Sequence, residues 1–489
     1  MDFLDEIDSR PSLSIAHIHR DKNMTYGTLK AHSNALAVYL INSFKTDSSP
    51  IIVLGEKESL MLVCFLASVK SGHPYIPVDV SMTEKRLESI ISNSGAKVVI
   101  KTCEKNINDF TGTIIEKIDL ERIIIEFNGR IPDINYRVKA EDVFYIIYTS
   151  GSTGTPKGVQ ITKGNLQSFI RWGRSILKGE NKIFMNQAPF SFDLSVMDTY
   201  LSLTTGSILF SIDKDMISNM PELFQYFNKS GITTWVSTPS FAAMCLQSPS
   251  FNNNLLPNLK EMFFCGEVLT KKTAAKLFER FPEIKIINFY GPTEAAVAVT
   301  AVEVTEEMMI EEGDLPVGYV KEDCKLKIEE SSGEILIIGE SVAKGYLNNE
   351  TETNKHFFIE NINGKSVRGY RTGDKGYLKD GLLYYKGRLD FQVKVHGYRI
   401  ELEDIEYNIR KIPYISNAVI LPVIKNDELQ YLQSFISLQE NYSVEIIEIK
   451  EELKKILPEY MIPRKIKIIE KFPMNTNGKI DRKSFMEEL

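Results

Sequence analysis

The sequence has no run of apolar residues long enough to cross a bilayer. Its longest, Leu60-Met-Leu-Val-Cys-Phe-Leu-Ala-Ser-Val69, falls well short of the roughly 20 residues that a spanning helix needs. Cysteine is scarce. The five copies (Cys64, Cys103, Cys245, Cys265, Cys324) are odd in number, far apart and without a CxxC pair, which argues against a disulfide framework or a zinc site. Reduced thiols in a cytoplasm are the expectation. The six histidines show no metal-ligand spacing. An excess of positive charge is also missing: 58 Lys and Arg against 65 Asp and Glu give a formal charge of −7, unlike a dedicated nucleic-acid binder. The opening Met1-Asp-Phe-Leu-Asp-Glu6 lacks the basic start of a signal peptide, so neither export nor membrane insertion is expected. What is present is the composition of a globular protein, 43% hydrophobic and 25% charged. At 489 residues the chain exceeds one hydrophobic core, and two to four structural units are expected.

One segment stands apart. Tyr148-Thr-Ser-Gly-Ser-Thr-Gly-Thr-Pro-Lys-Gly-Val159 directly follows the apolar run Val143–Ile147. A strand that ends in glycines, short hydroxyls and one lysine offers backbone N–H groups and a cation to phosphate oxygens. The spacing is not that of a P-loop, because Lys157 lies between Pro156 and Gly158. Such a composition also suits a plain surface turn. After the loop, Leu166, Phe169, Ile170, Ile176 and Leu177 recur at helical spacing, so strand, loop and helix are expected in that order. Three further apolar runs end in small, polar or acidic residues: Thr233–Ser237 at Thr238-Pro-Ser240, Glu261–Phe264 at Cys265-Gly-Glu267, and Lys285–Tyr290 at Gly291-Pro-Thr-Glu294. Ligands of open α/β sheets sit outside the carboxyl ends of the strands, so the four ends are expected to share one crevice.

The glycine-rich string, Gly291-Pro-Thr-Glu294, Tyr370-Arg-Thr-Gly-Asp374, Gly387-Arg-Leu-Asp390 and Pro473-Met-Asn-Thr-Asn-Gly-Lys479 together resemble the adenylate-forming superfamily. That superfamily takes in acyl-CoA synthetases, luciferases and peptide-synthetase adenylation domains. The resemblance runs nearly end to end. It implies an α/β fold: a large N-terminal part, 1–389, of doubly wound subdomains plus a β-barrel, and a small mobile α+β lid, 390–489. It also implies roles. Thr149, Ser150, Gly151, Ser152, Thr153, Gly154 and Lys157 would close over ATP phosphates, with Thr153 catalytic. Asn288, Tyr290, Gly291, Pro292 and Thr293 would hold the adenine side. Asp374 and Arg388 would hold the ribose, Glu294 would hold Mg2+, and Asp390 would be the hinge. Lys479 would be the catalytic cation, although a lysine in an Asn-Gly turn is more often merely exposed.

Asp193, in Phe192-Asp-Leu-Ser195, narrows the substrate. A carboxylate there is costly beside a fatty tail and suits the ammonium of an amino acid, or else it caps the helix starting near Leu194. Within the amino-acid-activating branch, the segments Asn186–Asp198, Thr238–Leu246, Phe263–Leu269 and Tyr290–Thr300 imply D-alanine, with Cys265, Val297 and Met197 shaping a small pocket. The implied reaction is formation of D-alanyl-AMP and transfer to the phosphopantetheine thiol of a carrier protein, for D-alanylation of teichoic acids. Glycine or L-alanine remains the alternative substrate. With few residues after Lys479, the carrier is expected to be a separate protein, steered by Arg464, Lys465, Lys467 and Lys471 or leaving these as a solvated face.

Overall fold

The computed structural model describes all residues except 1, 45–46, 109, 152–154, 178, 180, 391, 396–397, 426–427, 440–441, 443, 471, 474–481, 483–484 and 486–489. The chain forms two compact units. The larger comprises Met1–Val80, Asn93–Ile147 and Gly158–Leu389; the smaller comprises Ser81–Ser92, Tyr148–Lys157 and Asp390–Leu489.

Two large sheets organise the first unit. Strands Ile51–Gly55, Tyr75–Asp79 and Val98–Lys101 are parallel and buried throughout, as near-continuous apolar runs must be when helices cover both faces. They belong to a seven-stranded sheet that also contains Val143–Thr149 and Lys157–Thr162. The second sheet has nine strands. Its parallel centre runs Ile15–His19, Ile208–Ser211, Ile183–Asn186, Thr234–Ser237, Glu261–Phe264 and Lys285–Tyr290, with antiparallel strands at both edges. A five-stranded antiparallel sheet, Cys324–Ile328 through Leu382–Arg388, completes the unit.

Two sequence expectations change here. The glycine loop is followed by a strand, Lys157–Thr162, before the helix Lys163–Ile176 begins. Thr162 marks that helix start with a capping box to Asn165, a signal that a count of apolar positions passes over. Further, the strand ahead of the glycine loop is not a neighbour of the other three. Thr234–Ser237, Glu261–Phe264 and Lys285–Tyr290 are adjacent in the nine-stranded sheet, but their fourth companion is Ile183–Asn186, whereas Val143–Thr149 lies in the other sheet. Apolar runs announce strands; pairing between sheets depends on long-range packing that a run does not encode.

The strand Ile183–Asn186 leads into the segment carrying Asp193 and then the helix Leu194–Thr205, which Gly206 ends in a left-handed conformation (φ 74°). Gly173 of the preceding helix lets the two helices touch: a β-carbon there would stand 2.8 Å from Leu201 Cδ2.

Beneath this layer, His17 is fully buried and bridges two hydroxyls, Ser59 Oγ at 2.8 Å and Ser211 Oγ at 2.9 Å. Burial, helped by His19 and Lys57, pulls its imidazole down to about 3. Between that value and the ordinary 6.5 the unfolded chain binds the extra proton, so stability falls as pH drops through this window. The slope is up to about 1.4 kcal/mol per pH unit. Urea unfolding at pH 6.5 and pH 5 is expected to show wild type losing about 1–2 kcal/mol more than His17→Asn; equal losses would contradict a neutral buried imidazole.

In the smaller unit, a hairpin (Gln392–Val395, Tyr398–Glu401) is followed by the helix Leu402–Ile409. A three-stranded sheet (Ile415–Lys425, Glu428–Leu438, Lys465–Ile468) packs with the helix Ile446–Ile456 around Ile405, Ile420, Ile436 and Leu453. The α+β character of this part agrees with the sequence expectation.

Candidate active site

Four parallel strands of one sheet end side by side at Asn186, Ser237, Phe264 and Tyr290. Their outgoing segments carry Asp193, Thr238, Cys265 and Glu294, so the same ends of one sheet bring together residues assigned to the amino acid and residues assigned to the nucleotide. Ser240 N donates to Glu267 Oε2 at 3.0 Å, tying two of these segments together.

At the Tyr290 end the residues form a closed polar cluster. The Tyr290 hydroxyl donates to Asp374 Oδ2 at 2.7 Å, and Arg388 Nη1 donates to Asp374 Oδ1 at 2.6 Å. Asp374 lies on the long strand Lys365–Lys379 and Arg388 at the end of its partner Leu382–Arg388, where the two are directly paired. Burial and the adjoining carboxylate push the Tyr290 phenol well above its usual range, so it remains a donor. Each Asp374 oxygen has a second lone pair, enough to accept from a vicinal diol. Asn288 is buried and donates to Pro316 O at 2.9 Å. Gly291 has no room for a side chain, since a β-carbon would stand 2.5 Å from Ala298 Cα. Pro292 leads into the short turn Thr293–Ala295.

Glu294 is fully buried rather than a solvated helix-start carboxylate. Its Oε1 accepts from the Tyr346 hydroxyl at 2.7 Å, and Tyr346 and Tyr370 hydroxyls are 3.3 Å apart. Tyr346 escaped sequence reasoning, because nothing in its local sequence indicates which carboxylate it meets. Among the described residues no group of three or more His, Cys, Asp or Glu is arranged to hold a metal ion by itself. A single buried carboxylate with one oxygen fixed by a hydroxyl fits Mg2+, which takes one or two carboxylates and completes its shell with water and substrate phosphates.

Asp193 immediately precedes its helix with α-region angles (φ −65°, ψ −21°), and its side chain makes no capping hydrogen bond. Of the two roles open to it, capping is therefore not the one adopted. It is 7% exposed, and its negative charge, after burial, pushes the Tyr145 hydroxyl well above the usual range. That hydroxyl is buried and has no hydrogen-bond partner among the described residues, a polar atom that sequence reading did not single out. Met197, one turn along from Asp193, is fully buried. Cys265 follows its strand directly; it is 3% exposed, with Sγ 3.8 Å from the Val297 carbonyl. Ala296 and Val297 both adopt positive φ (51° and 74°), a costly conformation for a β-branched residue and a mark of functional sites.

Of the expected phosphate loop, Thr149, Ser150 and Lys157 are buried. Within the smaller unit, Ser150 Oγ donates to Arg399 O at 2.8 Å and accepts from Glu401 N at 3.0 Å. Gly151 lets the Thr155 carbonyl approach, since a β-carbon would stand 2.2 Å from it. Ser152, Thr153, Gly154, Lys471 and Lys479 lie outside the described residues. Asp390 opens the third segment of the smaller unit, with Oδ1 accepting from Gln392 N at 3.2 Å. Arg464 and Lys465 are exposed over the Tyr431 ring, and Lys467 over Phe435.

A family model described as AMP-binding enzyme matches residues 5–347, and the chain belongs to that family. Within it, the chain is 46% identical to the D-alanine–D-alanyl carrier protein ligase of Bacillus cereus (strain AH187), over 97% of this chain and 96% of the relative. Two solved structures share the fold. One is a holo NRPS protein with adenylation and PCP domains (TM-score 0.85, 23% identity, 100% of this chain and 84% of that one). The other is an o-succinylbenzoate CoA synthetase double mutant from Bacillus subtilis (TM-score 0.85, 20% identity, 99% and 98%). No helix among the described residues is long and apolar enough to cross a membrane.

Proposed function

We propose that the protein is an ATP-dependent ligase that activates D-alanine as D-alanyl-AMP and passes it to the phosphopantetheine thiol of a separate carrier protein, as teichoic acid D-alanylation requires. The observation that carries this reading is the 46% identity, spread over 97% of the chain, to ligases of that name. The cluster of Tyr290, Asp374 and Arg388 and the uncapped Asp193 support it.

In the first step a carboxylate oxygen of D-alanine attacks the α-phosphorus of ATP and pyrophosphate leaves. Asp374 and Arg388 hold the ribose hydroxyls, Tyr290 packs on the base, and Asn288, Gly291, Pro292 and Thr293 complete the adenine side. Thr149, Ser150, Gly151, Ser152, Thr153, Gly154 and Lys157 close over the phosphates. Asp193 pairs with the substrate ammonium. Cys265, Val297 and Met197 leave space for a methyl group and disfavour larger side chains. Glu294 would hold Mg2+, which supplies charge neutralisation at the phosphates. Lys479 does the same where negative charge grows on the attacked phosphoryl group. In the second step the carrier's thiol sulfur attacks the activated carbonyl, the sulfur loses its proton and AMP departs. The part from 390 onward acts as the lid, with Asp390 as hinge, removing Lys479 after the first step. Arg464, Lys465, Lys467 and Lys471 would attract an acidic carrier.

Pyrophosphate exchange across a panel of D-alanine, L-alanine, glycine and larger amino acids tests the reading. D-alanine is expected to give a kcat/KM at least about tenfold above any other substrate, the scale of a one-methylene discrimination. Preference for L-alanine or glycine would overturn the assignment of substrate while leaving adenylation standing.

A further inference from the structure

Lys57 has no part in the chemistry above, yet it is 2% exposed and reaches a segment 129 residues away. It follows the strand Ile51–Gly55 and sits between Glu56 and Glu58. Its Nζ donates to Asn186 Oδ1 at 2.5 Å and to the Ala188 carbonyl, and lies 4.6 Å above the Phe190 ring. Asn186 Nδ2 in turn donates to Asp198 Oδ1 at 2.9 Å and to Ala188 O at 3.3 Å. Ser211 Oγ, held from behind by His17, donates to Asn186 Oδ1 at 2.8 Å.

The geometry of this chain is specific. Residues 187–193 leave the sheet at Asn186 and enter the helix Leu194–Thr205 directly after Asp193. One ammonium grips Asn186, from which that segment departs, and then Ala188 and Phe190 within it, and the Asn186 amide links the same point to Asp198, inside the helix. Phe190, Ser195 and Thr199 also border a small pocket of about 10 Å3, at the lower limit of the space a water needs. Burying a lysine costs several kcal/mol unless it is paired and hydrogen-bonded. Burial pulls the Lys57 ammonium down and pushes the Asp198 carboxyl up, and their mutual attraction opposes both shifts.

We propose that Lys57 is a positioning residue for the amino-acid subsite: through Asn186 and Ala188 it fixes the path of residues 187–193 and so brings the Asp193 carboxylate against the substrate ammonium. Lys57 itself touches no substrate. This inference rests on the proposed activation of an amino acid at Asp193.

The test compares D-alanine with propionate, the same molecule without its ammonium, in pyrophosphate exchange by the full chain. Propionate is read as an alternative substrate or as a competitive inhibitor. Lys57→Met is expected to lower kcat/KM for D-alanine by about 100-fold, mainly through KM, as a displacement on the order of 1 Å does. KM for ATP and the response to propionate should stay within about twofold of wild type, since neither uses the ammonium contact. Loss of D-alanine and propionate handling together, or an unchanged KM for D-alanine, would overturn the proposal. Should Lys57→Met not yield folded protein, Asn186→Ala keeps the lysine and its bond to Ala188; it is expected to give the same split between the two ligands, and equal losses would again refute it. A wild-type protein that does not activate D-alanine at all would remove the functional reading and this inference with it, whereas an active wild type with an indifferent Lys57→Met removes the inference alone.

Discussion

Replacing Asp193 by Asn is expected to lower kcat/KM for D-alanine about 1,000-fold in pyrophosphate exchange, with KM for ATP changed less than about threefold. The size follows from leaving a desolvated ammonium without its counter-charge, which costs about 2–5 kcal/mol, and about 4 kcal/mol is three decades. The substitution should leave folding intact, because the Asp193 side chain makes no capping bond to the helix it precedes. An unfolding midpoint within about 2 °C of wild type is expected, because Asn keeps the shape of the buried Asp and no helix cap is lost. If the variant instead lost ATP affinity, or lost several degrees of stability with its activity, Asp193 would be a structural residue and the assignment of an amino-acid substrate would lose its physical basis.

The second large effect concerns Lys479. Lys479→Ala is expected to slow formation of D-alanyl-AMP by about 1,000-fold or more, since one donor aimed at developing charge is worth roughly 100- to 1,000-fold even without a full charge. KM for D-alanine and ATP should move little, because the interaction strengthens only as charge accumulates on the phosphoryl group. Transfer from preformed D-alanyl-AMP to the carrier thiol should stay within a few fold of wild type, the mixed anhydride being activated already. A loss shared equally by both half-reactions would mean that Lys479 serves folding or lid placement in general. A loss below about tenfold would mean that Lys479 is not the group that neutralises the charge developing on the phosphoryl group.

Much of this was legible in the sequence, and the exceptions have physical reasons. Strand ends at Ser237, Phe264 and Tyr290 could be read because buried parallel strands are short unbroken apolar runs, and chemistry clusters where they stop. Cys265 and Glu294 were marked for the same reason, whereas Asp193 was marked by the cost of a carboxylate beside an apolar tail and Asp374 by the family resemblance. The partner of these strands was misjudged because the run before the glycine loop looks the same whichever sheet receives it. The strand Lys157–Thr162 was missed because its first half belongs by composition to the glycine-rich loop, and Thr162 then caps the helix that follows it. The choice between capping and ligand binding at Asp193 turns on two backbone angles, which no residue type dictates. Lys57 was invisible for a different reason: a lysine between two glutamates reads as surface, and only the folded chain reveals that its partners are Asn186 and Ala188.

The consecutive left-handed residues Ala296 and Val297 bear on how readily the protein could acquire a new substrate. On the proposed reading Val297 forms a wall of the pocket, and it is also the residue whose backbone is least at ease. A change to glycine at 297 would enlarge the chamber and relax the main chain in one mutation. Widening a binding site usually weakens a protein, so drift toward bulkier amino acids is held back by the need to remain folded. At this position the two pressures coincide, and laboratory evolution toward larger substrates has its least obstructed starting point there.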